Sequence, residues 1–172
     1  MDKDNRRTEC KNLIIITGVS CQGKTHIAKE LRRRFGFYLF HTDWFYHPLA
    51  REIPKIWVGG ESKDKNEFIG IRKNLFTKTT IIEGSHIGSK EELAIFVREL
   101  GFSGAIYIFK IESENIKEWF QNKHPEKTEE VWNRINSWFN KIYNVNGNVV
   151  STVEEIINFL NIDEDGNICI SR

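Results

Sequence analysis

The sequence predicts an α/β fold, a three-layer sandwich in which a mainly parallel five-stranded sheet is flanked by helices. Short apolar runs rich in β-branched residues alternate with amphipathic segments along the chain, which favours parallel strands connected by helices. The run LIIIT at 13–17 shows no polar alternation, as is typical of a strand buried on both faces. The 172 residues, 40% of them hydrophobic, are enough for one domain, 1–172, with its own core.

The periodicity places the individual elements. Strands are predicted at 13–17, 37–41, 79–82, 105–111 and 148–150. Three helices are predicted from periodicity at 25–35, where Gly36 ends the helix, at 66–76 and at 131–142. A helix from Ser113 to Phe120 is predicted with Ser113 as its cap. Two more are predicted to begin with capping boxes: one at Ser89 with Glu92, and one at Ser151 with Glu154 that runs to Leu160. Trp132 and Trp138 recur at helical spacing and are expected in the core. Asp165-Gly166 is expected to be the turn of a closing hairpin.

Composition limits the function classes. The formal net charge of +1, from 25 basic and 24 acidic residues, provides no bulk attraction to nucleic acid or to membranes. The cysteines Cys10, Cys21 and Cys169 lack CxxC spacing and fit neither a disulfide framework nor a zinc site. The N-terminus is polar and no apolar run reaches membrane-spanning length, so we expect a cytoplasmic protein. The triplet Arg32–Arg34 is interpreted as a solvated helix face near a helix C-terminus.

The segment GVSCQGKT at 18–25 matches the phosphate-loop pattern G-x-x-x-x-G-K-[ST] in full, between a predicted buried strand and an amphipathic helix. Its members are Gly18, Val19, Ser20, Cys21, Gln22, Gly23, Lys24 and Thr25. The glycines allow the backbone N–H groups to surround phosphates, and Lys24 provides a charge for the β- and γ-phosphates. Thr25 would hold Mg²⁺. The segment therefore predicts binding of a nucleoside triphosphate, taken to be ATP, with Mg²⁺.

Acidic residues follow two other predicted strands. Because functional groups of a parallel sheet gather at the carboxyl ends of its strands, Asp43 is placed to accept the proton of an attacking hydroxyl. A turn-capping carboxylate is the alternative for Asp43. Glu83 ends the run TTIIE and is expected to reach Mg²⁺; binding the hydroxyls of the acceptor and a purely structural role are the alternatives. His86 is expected to contact the acceptor; a zinc site of His41, His47 and His86 is the competing interpretation.

The segments GVSCQGKTHIAKEL, FHTDWFYHP and IIEG together resemble the P-loop nucleoside and nucleotide kinases, most closely the uridine kinase and nicotinamide riboside kinase group, and polynucleotide kinases more distantly. The resemblance covers about the first half of the chain. It implies that Asp43 activates a sugar hydroxyl and that Trp44, Phe45 and Tyr46 line the acceptor pocket. It also implies the strand order two, three, one, four, five.

The second half departs from the family pattern. Such kinases usually close a lid with paired arginines over the transferring phosphoryl group, and the corresponding segment 115–134 has no such pair. Lys123 and Arg134, which flank the part of this segment that contains Pro125, are the candidate lid residues, with solvated surface as the alternative.

Three functions are compatible with these residues. The first is a kinase that transfers the γ-phosphate of ATP to a hydroxyl of a nucleoside, nucleotide or related small molecule. The second is a kinase that acts on a polynucleotide end or a modified DNA base. The third is a nucleotide-switched binding protein, which the absence of the guanine-reading NKxD sequence disfavours.

Overall fold

A computed structural model describes residues 12–18, 22–41, 77–84, 94, 102, 104–142 and 147–170. Five strands form one sheet: β1 (Leu13–Thr17), β2 (Tyr38–His41), β3 (Thr80–Glu83), β4 (Ile106–Ile111) and β5 (Asn148–Val150). Their order is β2-β3-β1-β4-β5, and every neighbouring pair is parallel. The predicted fold class and the strand order implied by the family resemblance are both confirmed.

Within these described residues four helices have defined bounds: α1 (Lys24–Phe35), α2 (Ile116–Lys123), α3 (Glu129–Ile142) and α4 (Val153–Leu160). The helices predicted at 66–76 and after Ser89 lie outside the described residues, apart from Ala94, which is helical. Within the described residues, no helix combines the length and the apolar character that a membrane span requires.

The core surrounds the central strand β1, whose residues Leu13 to Ile16 are fully buried. Ile27, Ala28 and Leu31 of α1 pack in the same apolar cluster as Ile156 and Leu160 of α4. Helices of this kind are held by their buried faces more than by their intrinsic propensity. The strand that leads into the predicted phosphate loop and the helix that follows it are therefore both fixed by the core.

The strand register aligns the carboxyl ends of all five strands at one edge of the sheet. Glu83 of β3 is paired with Ile16 of β1 on one side and with His41 of β2 on the other. Thr17 of β1 is paired with Lys110 of β4, whose following residue Ile111 is paired with Val150 of β5. The last residues of the five strands consequently lie side by side at that edge.

Helix α1 ends as predicted. Gly36 adopts a left-handed conformation, with φ 68°, and its N–H donates to the carbonyl of Arg32 at 2.9 Å. The Glu30 carboxylate accepts hydrogen bonds from Arg33 and Arg34, which lower its pKa to about 2. Arg34 also forms an ion pair with Glu154 of α4 at 2.9 Å. Two residues of the arginine triplet are thus engaged within the protein.

The start of α4 corrects the predicted capping box by one residue. The hydroxyl of Thr152 accepts from the N–H of Glu155 at 3.3 Å, and the Glu155 carboxylate accepts from the N–H of Thr152 at 3.1 Å. Ser151 with Glu154 has the same spacing, so the sequence fits both registers. In the structure Glu154 pairs with Arg34, and the Ser151 N–H donates to Glu155 as well.

Thr152→Ala should lower the free energy of unfolding by about 1 kcal/mol, because the substitution leaves the Glu155 N–H without its side-chain acceptor. Thr152→Ser keeps a hydroxyl and is the matched control. Urea denaturation of the three proteins compares them directly. A Thr152→Ala protein as stable as the wild type would mean that Glu155 alone holds this helix start.

The structure also tests the predicted turn near the C-terminus and the predicted start of α2. The turn at Asp165-Gly166 is confirmed: Gly166 has φ 82°, its N–H donates to the Asp163 carbonyl at 3.0 Å, and Ile162 and Ile168 form an antiparallel bridge. Ser113 is not the N-cap of α2. That position is Asn115, whose N–H donates to the Ser113 hydroxyl at 3.3 Å.

Candidate nucleotide-binding and active site

Two glycines shape the loop between β1 and α1. Gly18 has φ 146°, and a Cβ built on it would lie 2.8 Å from both the Ile111 carbonyl oxygen and Gln22 Oε1. Gly23 has φ 84° and is the N-cap of α1. A side chain would clash or be strained at either position, so the close path of the backbone requires glycine. Val19, Ser20 and Cys21, which lie between them, are outside the described residues.

The N-terminus of α1 is suited to an anion. Its N-cap residue, Gly23, has no side chain that could cap it, and its first turn contains no acidic residue. The N–H groups of the first turn and the positive end of the helix dipole therefore face the loop, and no carboxylate of that turn competes for an anion. This arrangement favours a phosphate group at the start of the helix.

The two polar residues that flank Gly23 are buried. Lys24 is only 6% exposed, and Gln22 is only 8% exposed. Gln22 Oε1 accepts no hydrogen bond within the part of the chain that the structure describes. The Lys24 side chain is therefore withdrawn from solvent at the start of α1.

Thr25 and Glu83 are brought together by the sheet order. The Thr25 hydroxyl donates to the Glu83 carboxylate at 3.0 Å, and Glu83 is 2% exposed. The contact exists because β3, which ends at Glu83, is the neighbour of β1. A hydroxyl and a carboxylate are hard oxygen donors of the kind that Mg²⁺ binds, so this pair fits the predicted metal.

The other predicted site residues follow strands whose positions are known. Asp43, Trp44, Tyr46 and His86 lie outside the described residues. Asp43 comes two residues after the end of β2, where His41 is paired with Glu83. The chain therefore leaves β2 next to the carboxylate that contacts Thr25.

The zinc alternative cannot be assembled from described residues alone. Among these, no three or more His, Cys, Asp and Glu side chains are grouped so that they could hold a metal ion. His47 and His86, two of the three histidines of that alternative, lie outside the described residues.

In the candidate lid segment 115–134, some cations are engaged within the segment. Lys117 of α2 forms an ion pair with Glu129 of α3. Lys127 Nζ lies 5.8 Å from the centroid of the Phe120 ring. Lys123 and Arg134 are exposed, and neither forms an ion pair with a described residue.

A cleft of about 430 Å³ lies between α1 and the start of α4. Its lining residues are His26, Ile27, Glu30, Arg34, Ser151, Thr152, Val153 and Glu154. It borders the phosphate loop at His26, which directly follows Thr25.

Trp119 lies next to the loop, which was not anticipated from the sequence. A Cβ on Gly23 would be 3.9 Å from Trp119 Cζ3, and the Trp119 side chain is 43% exposed. The sequence contains a relevant signal, since Trp119 and Phe120 are consecutive in a helix and cannot both face the same core. Phe120 is the buried residue of the two, at 2% exposed.

Comparison with known proteins places the fold. No family model matches the chain, and no curated protein matches its sequence. Solved structures do match it over most of its length. A sugar kinase from Janibacter sp. is 14% identical, with a TM-score of 0.55 over 90% of this chain and 96% of that one. A gluconokinase from Sinorhizobium meliloti is 13% identical, with a TM-score of 0.54 over 87% of this chain and 89% of that one.

The YorR protein of Bacillus subtilis, solved in complex with phosphorylated GDP, is 13% identical, with a TM-score of 0.57 over 87% of this chain and 96% of that one. At these identities the likeness concerns the fold. The chain therefore shares the α/β fold of solved sugar kinases and gluconokinases, with a complete phosphate-loop sequence at the end of its central strand.

Proposed function

We propose that the protein is a P-loop kinase that transfers the γ-phosphate of ATP, with Mg²⁺, to a hydroxyl of a nucleoside, nucleotide or related small molecule. The contact between Thr25 and Glu83 carries this proposal. It joins the last residue of the phosphate loop to an acidic residue on the neighbouring strand, which is the pair of ligands that a phosphoryl-transfer site needs for its metal. The kinases among the solved structures of this fold support it.

The donor phosphates are bound by the loop. In this proposal backbone N–H groups of the loop would surround the β-phosphate, and Lys24 would balance the charge of the β- and γ-phosphates. Thr25 and Glu83 would hold Mg²⁺, which when bound would supply positive charge to offset the negative charge that develops during transfer. Lys123 and Arg134 would approach the γ-phosphate from the lid segment.

The transfer step uses Asp43 as the base. The acceptor oxygen forms a bond to the γ-phosphorus, the bond from that phosphorus to the bridging oxygen of ADP breaks, and the hydroxyl proton passes to Asp43. The end of β2 is separated from β1 only by β3, so the two strands are about 10 Å apart. A phosphoryl group and an acceptor would fit across that spacing, beyond the carboxyl ends of β1 and β2.

The acceptor would lie at the ends of β2 and β3, in contact with Trp44, Tyr46 and His86. The resemblance of FHTDWFYHP to the uridine kinase and nicotinamide riboside kinase group favours a nucleoside or nucleotide. The sugar kinase and gluconokinase of the same fold make sugars and sugar acids the appropriate comparison compounds.

A transfer screen tests the function. Purified protein is incubated with labelled ATP and Mg²⁺ and with nucleosides, nucleotides, sugars, sugar acids or short oligonucleotides. We expect label in one small-molecule class. Label in oligonucleotides alone, with steep salt dependence, would indicate a polynucleotide kinase. Slow hydrolysis that no acceptor changes, with a partner retained only in the triphosphate state, would indicate a nucleotide switch.

Glu83→Gln should raise the Mg²⁺ concentration needed for half-maximal transfer by about 10- to 100-fold, because the amide keeps the shape but loses the charge that attracts the metal. Glu112→Gln is the matched control, since Glu112 follows β4 at the same sheet edge but pairs with Lys110 at 2.9 Å. Initial rates across a Mg²⁺ series measure the effect. An unchanged Mg²⁺ dependence with a raised acceptor KM would assign Glu83 to the acceptor.

A further inference from the structure

Two consecutive aromatic residues of α2 have opposite environments. Phe120 is buried and packs on Trp132 of α3, with ring centroids 5.1 Å apart. Trp119 is 43% exposed, although its backbone N–H is hydrogen-bonded within the helix turn, to Asn115 at 3.0 Å. The helix is therefore anchored by Phe120, and the exposure of Trp119 follows from the direction in which it points rather than from a loose helix.

The exposed ring lies at the phosphate loop. Helix α2 follows β4, and β4 is paired with β1, so α2 begins beside the loop that follows β1. A Cβ built on Gly23 would lie 3.9 Å from Trp119 Cζ3, so the indole is close enough to touch even the smallest side chain at that position. The indole edge thus borders the loop immediately before Lys24, and part of the ring surface stays accessible.

The sheet order separates the two ends of a bound nucleotide. Glu83, in contact with Thr25, lies on the β3 side of the loop, and the proposed acceptor residues follow β2 and β3 on the same side. Trp119 follows β4, on the other side. A nucleoside triphosphate whose γ-phosphate and metal face Glu83 must direct its ribose and base away from the acceptor, toward the β4 side.

We propose that Trp119 stacks on the base of the donor nucleotide. The inference rests on the proposed function, because it presupposes a triphosphate in the loop. An indole has a large apolar face, and every base offers a π-face to it, so stacking adds affinity without requiring a particular pattern of hydrogen bonds. Trp119 should therefore strengthen the binding of ATP and GTP alike and contribute nothing to a ligand that has no base.

Calorimetric titration with ATP, GTP and inorganic tripolyphosphate separates these contributions. Trp119→Ala should lower the affinity for ATP and for GTP by about 5- to 100-fold, the range expected for loss of one stacked base. Tripolyphosphate affinity should stay within about twofold of wild type, since the loop and Lys24 are unchanged. Trp119→Phe keeps an aromatic face and should retain most of the ATP affinity. His26→Ala, at the border of the cleft between α1 and α4, is the comparison variant.

The outcomes are distinguishable. Unchanged ATP affinity in Trp119→Ala, in a wild type that binds both ATP and tripolyphosphate, overturns the stacking role and leaves the proposed function standing. Equal losses of affinity for ATP and for tripolyphosphate would show that Trp119 supports the loop and does not bind the base. That result would also overturn the stacking role. If His26→Ala lowers the affinity for ATP and Trp119→Ala does not, the base lies in the cleft between α1 and α4 and the stacking role is overturned. A wild type that binds neither ligand would remove the proposed function itself, and the stacking role with it.

Discussion

Lys24→Ala is expected to abolish phosphoryl transfer, with a loss on the order of 10³-fold or more, because it removes the fixed positive charge that gathers the β- and γ-phosphates. The position and burial of Lys24 support this expectation. Lys24 begins α1 directly after the loop glycine Gly23 and is 6% exposed, so its side chain is ordered against the protein and not spread through solvent. A preorganised charge needs little rearrangement at the moment of transfer, which is the condition under which such a group contributes most.

The burial of Lys24 also calls for a second variant, since Lys24→Ala leaves unfilled space at the loop. Lys24→Met keeps most of the side-chain length and removes only the charge. Lys29→Ala, an exposed position on the same helix, controls for the loss of one positive charge. Single-turnover transfer is measured together with circular dichroism. Activity near wild type in a folded Lys24→Met protein would refute the P-loop assignment.

Much of the fold could be predicted because its signals are local. The run LIIIT is buried along its whole length, as an unbroken β-branched run predicts. Gly36 ends α1 in the left-handed conformation for which glycine is favoured. Trp132, expected in the core from its helical spacing, is 6% exposed. The strand order could not come from such signals, and it was the family resemblance that implied it.

The structure differs from the sequence-based predictions, or adds to them, where two local arrangements fit the sequence equally well or where a contact joins distant segments. Ser151 with Glu154 and Thr152 with Glu155 have the same spacing, and the choice involves Arg34, which is 120 residues from Glu154 in sequence. Thr25 and Glu83 were each predicted from their own motif, but their 3.0 Å contact depends on β3 lying beside β1. The proximity of Trp119 to Gly23 likewise depends on the position of β4.

Asp43→Asn is the substitution that separates a kinase from a simple nucleoside triphosphatase. The asparagine side chain has nearly the same size as the aspartate side chain but cannot accept the hydroxyl proton. If Asp43 is the base, transfer should fall by about 10²- to 10⁴-fold, the usual contribution of a positioned proton acceptor. ATP affinity should be almost unchanged, because the phosphates are held by the loop and by Lys24, which follow a different strand.

The kinetic form of the loss distinguishes this role from a structural one. An interaction used only while the hydroxyl attacks lowers kcat and leaves the KM for ATP nearly constant. A turn-capping carboxylate, the alternative for Asp43, would instead affect stability and leave the rate per folded molecule close to wild type. Asp165→Asn is a suitable control: the Asp165-Gly166 turn lies against Phe35 and Phe37, at the end of α1 opposite the phosphate loop.

Calorimetry with ATP and single-turnover transfer to the best small-molecule acceptor decide between the two roles of Asp43. The expected result is wild-type ATP binding with strongly reduced transfer in Asp43→Asn, and no change in Asp165→Asn. Since β2 ends in register with Glu83, a base in the segment that follows β2 would meet the acceptor on the metal side of the loop. Near-wild-type transfer by Asp43→Asn would refute the role of Asp43 as the base, because the site would then have a nucleotide and a metal but no assigned group to activate a hydroxyl.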